Sequence, residues 1–223
     1  HCHKMDAVLA YLRANKLDQT IFSGGTAPKI GIIAAGKSYL DVRLALDILG
    51  IGEQEAENLG LRLLKVAAPW PLDPVQMKAF ANGLESVIVV EEKRSLIEGQ
   101  LREMLFDSKA KPNIVGKKDE AGNMLFPSFG ALEANDIAIA IGERLPGKGR
   151  SKVNSARLDG LKEARERESS LKEVATRSPY FCAGCPHSTS TRVPEGSRAY
   201  AGIGCHFMAQ WMDRSTEGYT QMG

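Results

Sequence analysis

Short apolar runs alternate with segments of helical periodicity along residues 1–145. A nearly continuous apolar run, as expected for a strand that is covered on both faces, occurs at residues 29–35, and residues 61–68 and 86–91 also predict strands. Apolar residues spaced three or four apart predict helices at residues 4–17, 39–49, 74–82, 96–106 and 131–145. This alternation predicts an α/β fold with a sheet rich in parallel strands.

Local signals set some of the element boundaries. Gly50 is well placed to end the helix at 39–49 in a left-handed conformation. Asp73 followed by Pro74 is a favourable pair for the start of a helix. Residues 113–116 predict a short edge strand, and residues 117–122 predict a turn or hairpin after it.

The composition changes after residue 145. Residues 146–178 are rich in mixed charge and poor in large apolar side chains, which indicates an interdomain linker with a solvated helix around 157–176. The basic residues at its start, Lys148, Arg150 and Lys152, could contact phosphate, but a solvated connector is the favoured interpretation. We therefore divide the chain into domains at 1–145 and 179–223, joined by a linker at 146–178.

The overall composition is typical of a folded protein, and it does not indicate a particular class of partner. The chain has 223 residues, of which 43% are hydrophobic and 25% charged, with a formal net charge of +2. This near balance does not indicate nucleic acid or an anionic membrane as a partner. No apolar run approaches the roughly 20 residues of a spanning helix, so we expect a cytoplasmic protein. The chain begins with His1 and ends at Gly223, and we interpret it as a piece of a longer protein.

Three of the four cysteines lie near the end of the chain. Cys182 and Cys185 form a C-x-x-C motif, and Cys205 follows a Gly-x-Gly sequence. Thiolates suit zinc and iron–sulfur centres, and a fourth ligand could come from His187, from His206 or from a residue beyond Gly223. A structural zinc site with three cysteines and one histidine remains open, as do free cysteines in the core. A thioredoxin-like redox pair is disfavoured because no βαβ pattern surrounds the motif.

Other candidate sites are weaker. Glu91 and Glu92 follow the strand at 86–91, on the side where parallel sheets bind ligands, although an ion-paired loop is the favoured interpretation. Residues 31–38 match the G-x-x-x-x-G-K-S pattern of phosphate loops, but an apolar strand replaces the flexible loop. A metal site formed by His1, Cys2 and His3 is also disfavoured, because chain termini fray.

Several motifs resemble one enzyme family. Residues 180–187 (YFCAGCPH), 193–197, 201–206 (AGIGCH) and 216–218 are similar to the start of the thiamine-diphosphate domain of indolepyruvate ferredoxin oxidoreductases. The match is closest to the long, fused bacterial form within the 2-oxoacid:ferredoxin oxidoreductase family. Residues 29–43 and 91–98 resemble the same family's domain that is similar to the transketolase C-terminal domain. The resemblance thus implies a transketolase C-terminal-like α/β domain followed by the truncated start of a thiamine-diphosphate-binding α/β domain.

The resemblance also implies a reaction and its cofactors. An arylpyruvate such as indolepyruvate would be oxidatively decarboxylated to an acyl-CoA, with ferredoxin as electron acceptor. The cofactors would be thiamine diphosphate with Mg²⁺ and a [4Fe–4S] cluster, with coenzyme A as co-substrate. We expect the remaining domains of the same polypeptide as partners, and a homo-oligomer.

The resemblance assigns roles to particular residues. Cys182, Cys185 and Cys205 would bind the cluster. The thiamine cofactor would be bordered by Gly202, Ile203, Gly204 and His206. His187 or His206 would be a polar contact or an acid–base group. The Gly-Asp-Gly signature that holds Mg²⁺ in this family is absent from the 223 residues, so we predict that the chain alone is inactive. The alternative is a non-catalytic assembly module with a structural zinc site.

Overall fold

The computed structural model describes residues 2–145, 152–170 and 177–219. The chain divides into two compact units, residues 1–169 and residues 170–223. Among the described residues, no helix combines the length and the apolar character needed to cross a membrane.

The first unit is a sheet with helices on both faces. Its strands are β1 (Gln19–Phe22), β2 (Ile30–Ala35), β3 (Leu61–Val66), β4 (Ser86–Val90) and β5 (Asn113–Val115). Its helices are α1 (Cys2–Ala14), α2 (Gly36–Leu49), α3 (Glu53–Leu59), α4 (Pro74–Ala81), α5 (Ile97–Leu105), α6 (Ala134–Arg144) and α7 (Lys152–Ser170). The strand order is β1-β3-β2-β4-β5. Strand β2 lies parallel to β3 and β4, β5 lies parallel to β4, and only β1 is antiparallel to its neighbour. The predicted α/β class with a sheet rich in parallel strands is therefore confirmed.

Burial on both faces explains the continuous apolar run at residues 29–35. In β2, Ile32 packs into a core with α2 and α6, whereas the next residue, Ile33, packs into a core with α4 and α5. Both side chains are fully buried. Successive residues of a strand point to opposite faces, so a strand covered on both sides is apolar at most positions, although β3 keeps Arg62 and Lys65 at half-buried positions.

Two elements of the first unit were not predicted from the sequence. Strand β1 has a weak signal because Gln19 and Thr20 are exposed and only Phe22 is buried. Helix α3 has the sequence EQEAENL and buries only Ala56 and Leu59. Neither segment carries the apolar periodicity from which an element can be recognised.

Helix α7 corrects the expected solvated linker helix. It begins at Lys152, and Leu158 is only 3% exposed in the core shared with α2 and α6. The amide of Asn154 donates a hydrogen bond to the carbonyl oxygen of Leu49 at 2.5 Å. The expectation of full solvation was wrong for this face, because one leucine packed beside Gly142 suffices to dock a charged helix. Lys148 and Arg150, for which phosphate contact was considered but disfavoured, lie outside the described residues.

The second unit contains short elements. They are α8 (His187–Ser190), β6 (Ala199–Ala201), α9 (Cys205–Met208), a 3-10 helix (Ala209–Trp211) and β7 (Thr216–Tyr219). Strands β6 and β7 pair in parallel.

Candidate metal and cofactor site

The C-x-x-C motif forms a closed turn. The backbone N–H of Cys185 donates to the carbonyl oxygen of Cys182 at 3.0 Å. Gly184 supplies the left-handed conformation in this turn, with a φ of 74°. Both thiols are free, that of Cys182 in an exposed residue and that of Cys185 in a half-buried one. The local sequence thus presents two thiols from one turn.

His187 contacts one of these thiols. Its Nδ1 atom lies 3.1 Å from Sγ of Cys185, and its ring lies 5.7 Å from the ring of Phe181. The imidazole of His187 therefore contacts the thiol of Cys185. Its expected role as a polar contact or acid–base group stays a prediction.

The Gly-Ile-Gly sequence forms a tight loop after β6. The backbone N–H of Gly202 donates to Nδ1 of His206 at 3.0 Å, so the imidazole folds back onto the loop. Gly204 has a φ of 73°, which side chains of L-residues rarely allow. Ile203 is 75% exposed, and Cys205 is exposed at the start of α9. The loop therefore offers accessible backbone and a third thiol.

The three thiols are not assembled into one site. Among the described residues, no group of three or more His, Cys, Asp or Glu side chains is arranged to hold a metal ion. The donor set nevertheless fits a thiophilic metal or an iron–sulfur cluster in kind, because three free thiols lie within one unit. A metal or cluster would have to draw them together. His1 and the side chain of Cys2 lie outside the described residues.

Two buried polar atoms lie close to Cys205 in the sequence. Within the described part of the chain, Nε2 of Gln210 and Oγ1 of Thr216 are buried and have no hydrogen-bond partner. Buried polar groups in native proteins are almost always paired. Their partners are therefore expected from a ligand, from water or from residues beyond those described.

Glu91 has a structural role. Its carboxylate accepts hydrogen bonds from the backbone N–H groups of Leu96, Ile97 and Glu98, at 3.0, 2.8 and 3.1 Å. These groups open α5, and they would otherwise lack partners. Glu91 thus caps a helix, and its carboxylate is not free for a ligand.

Glu92 is engaged in a similar way. It accepts a hydrogen bond from the N–H of Leu132 at 3.1 Å and lies 3.4 Å from Nζ of Lys37. These two contacts, in that order of size, lower the pKa of Glu92 below its ordinary value. The bonded, ion-paired loop that the sequence favoured is the arrangement found.

The residues that match a phosphate loop form a strand and a helix instead. Gly31 lies within β2, where an added Cβ would come within 2.6 Å of Cδ1 of Leu84. Helix α2 begins at Gly36, directly after β2. Nζ of Lys37 lies 2.7 Å from the carboxylate of Asp41. No loop is available there to wrap a phosphate.

The sheet and the cysteine-bearing unit define a mixed α/β protein with a candidate thiol site after its sheet domain. The family model described as "Indolepyruvate oxidoreductase domain" matches residues 20–168. The chain belongs to this indolepyruvate oxidoreductase family.

Curated relatives agree with this family. The indolepyruvate oxidoreductase subunit IorA of Thermococcus kodakarensis is 32% identical over 183 residues, which cover 80% of this chain and 25% of that protein. The subunit IorA of Archaeoglobus fulgidus is 27% identical over 194 residues, which cover 84% of this chain and 26% of that protein. The chain thus spans about a quarter of the length of these relatives.

Two solved structures are similar to part of the chain. The first is a 2-oxoglutarate:ferredoxin oxidoreductase from Magnetococcus marinus with 2-oxoglutarate, coenzyme A and succinyl-CoA bound. It is 21% identical, with a TM-score of 0.39 over 56% of this chain and 19% of that chain. The second, a split gene transketolase described as an inactive beta4 tetramer, is 20% identical, with a TM-score of 0.40 over 60% of this chain and 42% of that chain.

The structure adds one residue to the candidate site that the sequence did not indicate. Arg214 donates a hydrogen bond to the carbonyl oxygen of Ser188, which lies just beyond the C-x-x-C turn. A lone arginine 26 positions away from its partner leaves no local sequence signal.

Proposed function

We propose that the chain is part of a longer oxidoreductase that oxidatively decarboxylates arylpyruvates such as indolepyruvate. The 2-oxo acid would lose CO₂, pass an electron pair to ferredoxin and leave as an acyl-CoA. The observation that carries this proposal is the family match over residues 20–168. The C-x-x-C turn and the Gly202–Cys205 loop of the second unit are consistent with it.

The cofactors of this proposal are thiamine diphosphate with Mg²⁺, a [4Fe–4S] cluster, and coenzyme A as co-substrate. When bound, thiamine diphosphate supplies the carbanion chemistry and the cluster supplies an electron path. Cys182, Cys185 and Cys205 would hold the cluster, which their free thiols support. Cofactor contacts would come from Gly202, Ile203, Gly204 and His206. The exposure of Ile203 and the open space around the Gly204 Cα support this assignment.

The domain organisation belongs to the same proposal. Residues 1–145, together with the docked helix α7, would form the transketolase C-terminal-like domain, and residues 179–223 the start of the thiamine-diphosphate domain. The remaining domains would lie in the same polypeptide, in a cytoplasmic homo-oligomer that reduces ferredoxin. The quarter-length match to the curated relatives supports a longer protein.

The proposal is tested with the longer polypeptide and variants of the three cysteines. We expect indolepyruvate, coenzyme A and thiamine diphosphate together to drive ferredoxin reduction. Serine at Cys182, Cys185 or Cys205 should abolish it, whereas Cys2→Ser should not. Decarboxylation that needs neither thiamine diphosphate nor these three cysteines would contradict the proposal. The 223-residue chain alone should be inactive.

A structural zinc site is the second candidate. The contact between Cys185 and His187 favours it, because three cysteines and one histidine are a common zinc ligand set. Anaerobic purification separates the two candidates. A brown protein with broad visible absorption contains an iron–sulfur cluster, and a colourless protein that releases zinc on acidification contains the structural metal.

A further inference from the structure

Arg214 connects two segments of the second unit. One Nη1 atom donates hydrogen bonds to the carbonyl oxygen of Ser188 at 2.9 Å and to Oγ1 of Thr191 at 3.3 Å. The guanidinium carbon also lies 5.2 Å from the centre of the Phe181 ring. These three partners belong to the segment 181–191, which contains the C-x-x-C turn. A planar guanidinium can donate in its plane and stack on an aromatic face at once, as required here.

The partners of Arg214 are themselves fixed. Phe181 is 9% exposed, directly precedes Cys182 and lies against His187. Thr191 is 4% exposed, and its hydroxyl donates to the carbonyl oxygen of His187 at 2.6 Å. Arg214 therefore holds both ends of the segment 181–191 through buried groups.

The other side of Arg214 leads to the third cysteine. The next residue, Ser215, accepts a hydrogen bond at its carbonyl oxygen from the N–H of Ala199 at 3.2 Å. Strand β7 follows at once and pairs with β6. Strand β6 in turn runs directly into Gly202 and Cys205. The position of Arg214 is thereby tied to the segment that carries Cys205.

We infer that Arg214 is a positioning residue that keeps the C-x-x-C segment tethered to the segment that carries Cys205, so that a bound metal can draw the third thiol to the other two. This inference rests on the proposed function, in which the three thiolates form one ligand set. The C-x-x-C pair itself is closed by its own backbone hydrogen bond, from Cys185 to Cys182. Loss of Arg214 should therefore remove Cys205 as a metal ligand, whereas Cys182 and Cys185 should still bind the metal.

Arg198 provides a matched control in the same unit. Its guanidinium lies 3.5 Å from the carboxylate of Glu217, and the two side chains are 67% and 56% exposed. An exposed pair of this kind contributes little to structure. Arg198→Ala removes the same charge without disturbing the segment 181–191.

The test is a titration of the reduced 223-residue chain with Co²⁺, whose visible spectrum reports the number of bound thiolates. We expect a three-thiolate complex in the unaltered chain and in Arg198→Ala. Arg214→Ala should give a two-thiolate spectrum and bind Co²⁺ about tenfold more weakly or worse, since it loses charged hydrogen bonds. Arg214→Lys should lie between them, because an ammonium keeps a charge and a donor but not the planar fork.

The other outcomes separate this inference from the proposed function. If Arg214→Ala binds Co²⁺ with three thiolates and unchanged affinity, the positioning role is wrong and the ligand set stands. If the unaltered chain never gathers three thiolates, the ligand set fails and the positioning role fails with it. If Arg214→Ala also loses the C-x-x-C pair, and amide exchange shows α8 unfolded, the arginine only keeps the unit folded and the inference is overturned.

Discussion

At the residue scale, Asp73 combines a helix cap with an ion pair. Its carboxylate accepts a hydrogen bond from the N–H of Val75 at 3.1 Å and two more from Arg13, at 2.7 and 2.6 Å. The hydrogen bond from Arg13 is the main reason that the pKa of Asp73 is lowered, and the Val75 N–H adds to it against the opposing effect of burial. The Asp73 side chain is only 2% exposed, so this carboxylate depends on its partners.

Replacement of Asp73 by alanine should destabilise the first unit by about 2 kcal/mol, the upper part of the range for loss of an N-cap. The measurement is urea unfolding of the 223-residue chain. Asp136→Ala is the control, because Asp136 and Arg165 lie 3.6 Å apart with side chains 39% and 61% exposed. The control should lose less than about 1 kcal/mol. Equal losses in the two variants would refute a special role for Asp73.

Glu91→Gln tests whether the carboxylate after β4 is a cap. The three N–H groups that it binds need acceptors, and a glutamine offers one oxygen beside an N–H₂ group that repels donors. We expect a loss of about 1–3 kcal/mol in the free energy of unfolding. Glu103→Gln, at an exposed position of the same helix, should change it little. An unchanged melting temperature in Glu91→Gln would mean that the cap is dispensable.

The residue scale also shows what a sequence can reveal. Asp73 was predicted as an N-cap, because the signal lies in its neighbour Pro74 and in the helix that follows. Its pair with Arg13 was not predicted, because the two residues are 60 positions apart. The same holds for the candidate site. The thiols of Cys182 and Cys185 were visible as a local C-x-x-C motif, whereas Arg214 and its partner Ser188 are 26 positions apart and form no local pattern.

At the element scale, the predicted strands and helices were those with strong apolar patterns. Strands β2, β3 and β4 are buried on both faces and were found from the sequence alone. Helix α7 shows the limit of this approach, since a charged helix needs few apolar residues to dock. Leu158 is buried against α6, and Leu161 packs partly against the same core. The burial of this face can be seen only in the structure, where the absence of a side chain at Gly142 of α6 leaves space for Leu158.

Leu158→Ala should therefore destabilise the first unit by about 2–4 kcal/mol, as for other buried leucines. Leu44→Ala is the matched control, because Leu44 is 52% exposed on α2. Its loss should stay below about 1 kcal/mol. Urea unfolding measures both losses. A Leu158 variant as stable as the Leu44 variant would support the solvated linker helix that the sequence predicted.

Gly31→Ala tests the strand that replaces a phosphate loop. The added Cβ would meet Leu84 at 2.6 Å and Phe80 at 2.8 Å, both in the core. Such overpacking should cost about 1–3 kcal/mol. Gly160→Ala, in the middle of α7 with no atom within 4 Å of its added Cβ, should be neutral or stabilising by up to about 1 kcal/mol. A Gly31 variant as stable as the unaltered chain would show that the space around Gly31 accommodates a side chain, and it would contradict the tight packing of β2.

At the scale of the whole molecule, the two units differ in how well their own residues cover their sheets and pair their buried polar atoms. The first unit has helices on both faces of its sheet, and two apolar cores account for its folding. The second unit has a two-stranded sheet and two buried polar atoms without partners among the described residues, whereas the larger first unit has one, Oε1 of Glu55. A pair of strands with so little cover is marginal on its own. The order of the thiol site should therefore depend on what binds to the second unit, whereas the first unit should fold independently of it.

The pH dependence of the first unit follows from carboxylates that are held by donors. The pKa values of four of them are lowered, because hydrogen bonds outweigh the opposing effect of burial: Asp73, Glu92, Asp119 and Glu120. For Glu120 the main cause is Arg144, which donates to it at 2.9 and 2.7 Å. A lowered pKa means that the unfolded state takes up protons first as the pH falls. The stabilisation is therefore complete above the unfolded value of about 4 and is lost as the pH falls through the folded values.

The free energy of unfolding should thus be nearly constant from about pH 7 to pH 5 and fall steeply below about pH 4. The double variant Asp73→Asn and Glu120→Gln should be less stable at neutral pH, and its difference from the unaltered chain should shrink toward pH 2, since its amides do not titrate. Hydrogen exchange of the buried amides of β2 and β4 in urea confines the measurement to the first unit. Glu85→Gln is the control, because Glu85 and its partner Lys29 are 70% and 52% exposed, and it should leave the pH profile unchanged. A double variant that loses stability in parallel with the unaltered chain at every pH would show that other carboxylates govern acid unfolding.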